Sequence, residues 1–264
     1  MPSVTFTDQM NRQVSIPFPP KRIISLVPSQ TELLYDLGLD EKIVGITKFC
    51  IHPAEQFKSI TKIGGTKKLN MDLIRSLQPD LIIGNKEEND QEQMEQLMTE
   101  FPVWMSDISD LDDALDMISH IGNLTGKKEK AQEIISQIDQ EFAGLSVENS
   151  RDPKRIAYFI WKDPYMVAGQ QTFINDILER AGWVNSIKTS RYPELNAREL
   201  KEADPDWIFL SSEPYPFKEK HIAEFKKICP AAKVAVVDGE MFSWYGSRLL
   251  LASTYLQTLS AAQG

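Results

Sequence analysis

Short apolar runs bounded by turn formers recur along this chain, alternating with stretches whose apolar residues repeat every three or four positions. The runs at 22–27 (RIISLV), 43–47, 80–84 (DLIIG) and 103–105 predict buried strands. Between them, 30–37 predicts a helix closed by Gly38, and 71–77, 90–99 and 110–121 predict three more. Ahead of them, 4–6 and 13–16 alternate around a turn and predict a small hairpin, while 49–66 reads as irregular. The pattern then restarts: strands at 155–161, 207–210 and 234–237, and helices at 172–181 (closed by Gly182), 197–203, 219–228 and 247–259. Strand and helix alternating over short links predict an α/β fold with mostly parallel, covered sheets.

The stretch 125–145 (TGKKEKAQEIISQIDQEFAGL) separates the two series. Ala131, Ile134, Ile135, Ile138, Phe142 and Leu145 fall on one helical stripe, and Lys127, Lys128, Lys130, Glu133, Gln137, Asp139 and Gln140 on the opposite face. Thr125 reads as its N-cap, and Asn149-Ser150-Arg151-Asp152-Pro153 as its stop. At 1.5 Å per residue this is a rod of about 30 Å. The halves also share letters: Pro20-Lys21-Arg22-Ile23 opens the first and Pro153-Lys154-Arg155-Ile156 the second. Asn70 precedes Pro79-Asp80, and Asn196 precedes Pro205-Asp206, by the same nine residues (79 − 70 = 205 − 196 = 9). The expectation is two Rossmann-like lobes, 1–124 with the leading hairpin and 149–264, joined by a long rigid helix over 125–148. A cleft would face the C-terminal ends of the strands.

Composition narrows the function. The 264 residues carry a formal net charge of −9, which argues against a nucleic-acid or anionic-membrane surface. The two cysteines, Cys50 and Cys229, exclude a disulfide framework and a multi-cysteine zinc site. The first residues hold no apolar signal core, so either a signal has been removed or the protein is cytosolic.

No catalytic set emerges. Gly64-Gly65-Thr66-Lys67-Lys68 lacks the spacing of a phosphate loop, and neither GxGxxG nor GxSxG is present. Of the three histidines, His52, His120 and His221, only His52 sits on a link expected to face the cleft. Those links are rich in aromatic residues, with two methionines among them: Phe49; Trp161, Tyr165 and Met166; Tyr192; Tyr215 and Phe217; Met241, Phe242, Trp244 and Tyr245. Ring faces held on loops suit a large, flat, partly apolar ligand. Lys86, Glu87, Glu88 and Asn89, after the DLIIG strand, would add polar contacts.

RIISLVPSQTELLYDLGL, LNMDLIRSLQPDLIIGN, the LTGKKEKA helix entry and DGEMFSWYGSRLLLAS together resemble the class III solute-binding proteins of ABC importers. These are the helical-backbone receptors for vitamin B12, ferric siderophores and haem. The resemblance implies a non-enzyme that binds a metal chelate between two lobes and hands it to a permease. It implies a periplasmic or cell-surface location, with no intrinsic cofactor; nothing in the chain calls for an oligomer, and a monomer is expected. The resemblance points to Ser29, Phe49 and Lys86 as ligand contacts, and to Lys67 in the Thr66–Lys67 region where the vitamin B12 receptor has a stacking tryptophan; the links themselves add His52, Trp161, Tyr165, Tyr192, Tyr215, Phe242, Trp244 and Tyr245. The implied permease-docking acids are Asp72 and Glu199. The alternative is a cytosolic corrinoid- or metal-handling protein or enzyme on the same body.

Overall fold

The computed structural model describes residues 2–145 and 153–261. It opens on the expected hairpin, β1 (Ser3–Thr7) paired antiparallel with β2 (Gln13–Pro17). Buried Asp8 ties its turn, accepting the backbone N–H groups of Met10 (3.0 Å) and Arg12 (2.8 Å) and pairing with the Arg12 guanidinium.

The chain packs as two compact units. In the first, β3 (Ile23–Ser25), β4 (Ile43–Ile46), β5 (Leu81–Asn85) and β6 (Val103–Ser106) form an all-parallel sheet in the order β4-β3-β5-β6. Every residue of β3, β5 and β6 is buried, which is why these strands are continuous apolar runs rather than alternating ones. Their helices are α1 (Pro28–Asp36), α2 (Ala54–Ser59), α3 (Met71–Leu77) and α4 (Gln91–Glu100). Ile24, Leu26, Ile74, Ile82, Met94 and Leu97 form the centre of one core. Helix α2 lies in the stretch expected to be irregular; none of its six residues is buried, so it left no apolar stripe to read.

The long helix differs from the expectation. Helix α5 (Leu111–Thr125) runs to Thr125, whose Oγ1 donates to Ile121 O at 2.6 Å, so Thr125 ends one helix rather than capping the next. Gly126, at φ +73°, breaks the direction, and α6 (Lys128–Ala143) follows. A Cβ on Gly122 would lie 2.3 Å from that of Ala131, so the glycine lets α5 and α6 close into a tight pair. The apolar stripe of α6, from Ala131 to Phe142, is buried as expected, and so is Leu145 just beyond its end. Sixteen residues make α6 about 24 Å long, shorter than the expected rod. The stop assigned to residues 149–152 lies outside the described residues. The boundary of the two units falls inside α6, after Ile138.

In the second unit, β7 (Arg155–Trp161), β11 (Trp207–Ser211) and β12 (Lys233–Val237) are parallel. On the far edge of β7, short β9 (Val184–Asn185) runs parallel to its start, and β8 (Tyr165–Val167) runs antiparallel to its end and carries β10 (Glu194–Leu195). The helices are α7 (Phe173–Arg180), α8 (Ala197–Glu202), α9 (Ile222–Ile228), α10 (Glu240–Ser243) and α11 (Leu249–Ala261).

The repeated letters have a physical role. Asp80, opening β5, accepts the N–H groups of Lys21 and Arg22 at the start of β3, both at 2.8 Å. Asp206, opening β11, accepts the N–H of Arg155 at the start of β7 at 2.8 Å, and the Arg155 guanidinium as well. Each Pro-Asp therefore pins the entry of the parallel strand beside it. The two asparagines cap helices: Asn70 accepts from Leu73 N, and Asn196 forms a full capping box with Glu199.

Candidate functional site

Parallel pairing puts the C-terminal ends of β3 to β6 along one edge of the first sheet, so the links that follow them share a rim. Phe49 is the exposed ring of that rim, 49% accessible, with Lys48 Nζ 5.0 Å from its centroid. His52, half-buried, sits just before α2. The turn 86–89 collects three of the expected residues. Lys67 Nζ donates to the carbonyls of Glu87 (2.5 Å) and Asn89 (3.2 Å), Lys86 Nζ pairs with Asp107 at 2.5 Å, and the Tyr245 hydroxyl reaches Glu88 Oε1 at 3.1 Å. Ser29, second in α1, is buried, and its Oγ has no hydrogen-bond partner.

A polar layer that the sequence reading missed lies under this rim. Ser106 Oγ accepts from Gln30 Nε2 (2.5 Å) and Asn85 Nδ2 (3.0 Å) and donates to Gly84 O (3.2 Å). Asn85 Oδ1 accepts the N–H groups of Glu87 and Glu88, which fixes the turn carrying both acids. The Cys50 thiol lies 3.1 Å from both Thr31 Oγ1 and Thr47 Oγ1; its pKa is raised, chiefly by burial, so it is an unreactive thiol. The only available signal was that these small polar residues follow apolar runs directly, as the ends of buried strands do.

In the second unit, Trp161 ends β7 with its ring 41% exposed and edge-on to Tyr215, centroids 5.6 Å apart. Tyr215 in turn packs on Phe217 (4.7 Å) and His221 (5.8 Å). The Tyr165 hydroxyl donates to Glu224, whose other oxygen takes Lys162 Nζ at 2.6 Å; burial first, then that carboxylate, raises the Tyr165 pKa. Half-buried Tyr192 has the Arg191 guanidinium 5.8 Å from its ring. Trp244 is 6% exposed and donates its indole N–H to Glu213 at 2.7 Å.

Phe242 is a correction. It is fully buried among Tyr158 (4.9 Å), Phe209 (6.1 Å), Tyr255 (6.2 Å) and Trp183 (6.4 Å), so its ring belongs to the core and not to a loop surface. The short helix α10, unforeseen in the sequence, turns it inward.

Glu213, after β11, was also missed. Burial holds its pKa above the usual carboxylate range, and the charges of Glu240 and Asp238 push the same way. The hydrogen bonds from Ser243 (3.0 Å) and Trp244 oppose the rise. A carboxyl with a raised folded-state pKa contributes stability in its protonated form, and that contribution is lost as pH rises through the raised pKa. Glu213→Gln should therefore flatten the decline in stability above the normal carboxylate range, read from urea midpoints between pH 4 and 8. An unchanged pH profile would contradict this.

The sequence matches the model of the family described as periplasmic binding protein over residues 23–231, most of the chain. The chain belongs to the periplasmic binding protein family. That family comprises substrate-binding proteins, not enzymes. Among its relatives, a vitamin B12-binding protein of Pectobacterium carotovorum subsp. carotovorum (strain PC1) is 26% identical over 240 residues, covering 89% of this chain and 86% of its own. An uncharacterized ABC transporter substrate-binding lipoprotein of Bacillus subtilis (strain 168) is 28% identical over 69% of this chain and 63% of its own. Among solved structures, the periplasmic vitamin B12 binding protein BtuF of Vibrio cholerae superposes with a TM-score of 0.80 at 25% identity, covering 94% of this chain and 99% of that one. The haem-binding protein BhuT, in complex with two haems, shares the fold at a TM-score of 0.81 and 23% identity, over 92% and 99% of the two chains. These members of the periplasmic binding protein family lend no support to the cytosolic alternative.

Proposed function

We propose that this chain is the substrate-binding protein of an ABC importer and delivers a metal chelate of the corrinoid, haem or ferric-siderophore kind to a permease. The observation that carries the reading is similarity along nearly the whole chain to proteins named for vitamin B12 binding. The exposed rings support it. Phe49 follows, and Trp161 closes, the C-terminal end of a strand in its respective sheet, and both are exposed, as a ring that stacks on a ligand must be. Ser29, His52 and the 86–89 turn would supply polar contacts in the first unit, and Tyr192 and Tyr215 further rings in the second. On this reading Asp72 and Glu199 dock the permease. Both are exposed in the first turn of their helices, α3 and α8. The protein would act as a monomer outside the cytoplasmic membrane.

The test is a titration of cobalamin, cobinamide, haem and a ferric siderophore against intrinsic tryptophan fluorescence. At least one should quench saturably, and Trp161→Ala and Phe49→Ala should each weaken that ligand by about tenfold, the worth of one stacking contact. Quenching by none of the four would remove the reading. Binding indifferent to both substitutions would remove the two rings from it.

A further inference from the structure

The four residues Tyr245–Arg248 pack with the first unit, although the chain on either side, through Trp244 and from Leu249, packs with the second. They form a strap with no regular structure, so something other than a backbone ladder must hold it down. Its C-terminal end is held by a fork-to-fork ion pair. Arg248 Nε donates to Glu32 Oε2 at 2.8 Å and Nη2 to Oε1 at 2.5 Å, with the two side chains only 9% and 15% exposed. At its middle, a Cβ on Gly246 would come within 2.9 Å of Ser29 O, so the strap backbone lies directly against the start of α1. At its N-terminal end the Tyr245 hydroxyl reaches Glu88. Ser29 and Ser247 are both buried, with hydroxyls that have no hydrogen-bond partner. Helix α1 itself starts without a side-chain cap.

We infer that Glu32 and Arg248 are positioning residues, the lock that seats this strap on α1 and so sets Tyr245 and Ser29 for the ligand. The inference rests on the proposed reading of Ser29 as a ligand contact and on Tyr245 as the candidate contact that its sequence position suggests. Its physical basis is that two charges withdrawn from water are tolerable only while paired. The strap cannot lift without separating them, and opening the pair releases the C-terminal end of the strap. A lysine in place of Arg248 keeps the charge but offers no planar fork to hold both carboxylate oxygens.

The test uses the full chain with Arg248→Lys and Glu32→Gln, the first serving if the second fails to fold. Amide hydrogen exchange by mass spectrometry should accelerate at least about tenfold in peptides covering 244–249 and 28–32, with the sheet peptides unchanged. The ligand of the panel that binds the wild type best should bind each variant about tenfold more weakly. Unchanged exchange in the strap peptides would overturn the lock. Faster exchange with unchanged affinity would overturn its role in positioning ligand contacts. If no panel ligand binds the wild type, the proposed function fails, and the exchange result alone decides whether the lock exists.

Discussion

Phe242→Ala should destabilise the protein by about 3–5 kcal/mol, the cost of emptying a fully buried aromatic site that cannot collapse. Four rings surround Phe242, and the Tyr158 hydroxyl beside it is engaged with Ser211 at 3.1 Å, so the walls of the resulting cavity are held in place. Phe242→Leu keeps most of the volume and should cost about 1–2 kcal/mol. Urea unfolding followed by circular dichroism gives both numbers, and fluorescence titration shows whether ligand affinity in the folded variants is retained. A loss below about 1 kcal/mol, combined with a large fall in affinity, would return Phe242 to the ligand-contacting set.

The second large effect concerns docking. On the proposed docking role, reversing Asp72 and Glu199 together to lysine should lower permease-coupled uptake at least about a hundredfold while leaving the ligand dissociation constant unchanged, because like charges juxtaposed across an interface cost several kcal/mol. The fold should tolerate the first change. Arg75 keeps its fork on Glu100 (2.7 and 2.8 Å) when Asp72, 95% exposed, is lost. The second is less neutral, since Glu199 accepts the Asn196 N–H at 2.7 Å in the capping box, and losing it should cost about 1 kcal/mol. Glu199→Gln is therefore the control: it keeps an acceptor for the box and removes the charge. Uptake and ATPase stimulation measured with the permease in vesicles would decide. Wild-type rates in the double reversal would eliminate both acids as docking points.

The elements legible in the sequence were those whose pattern is imposed by burial. β5 is buried at every position and β7 through Ile156–Phe159, so both read as continuous apolar runs, and the one buried face of α6 reads as a stripe. The pieces that escaped are too short, or too little buried, to show a period. Helix α2 has no buried residue, β9 and β10 are two residues each, and α10 is a single turn. Within the candidate site, loop position was legible from strand ends, but side-chain direction was not. Phe242 and Trp244 read alike as loop aromatics, yet one turns wholly into the core and the other takes a hydrogen bond to Glu213.

Legible along the chain were the alternation of strand and helix, the doubled Pro-Lys-Arg-Ile and Pro-Asp signature, and the equal spacing of Asn70 and Asn196 ahead of it. Each depends on contacts along the chain or on a strand pair that must meet in register. Tertiary structure alone decided where the long helix breaks, which aromatic rings face outward, and that Glu32 meets Arg248 across 216 positions of chain. Those outcomes depend on which surfaces remain once the cores have closed. No local pattern encodes that, because the same ring or carboxylate is stable on a loop or in a core according to the partners that packing brings to it.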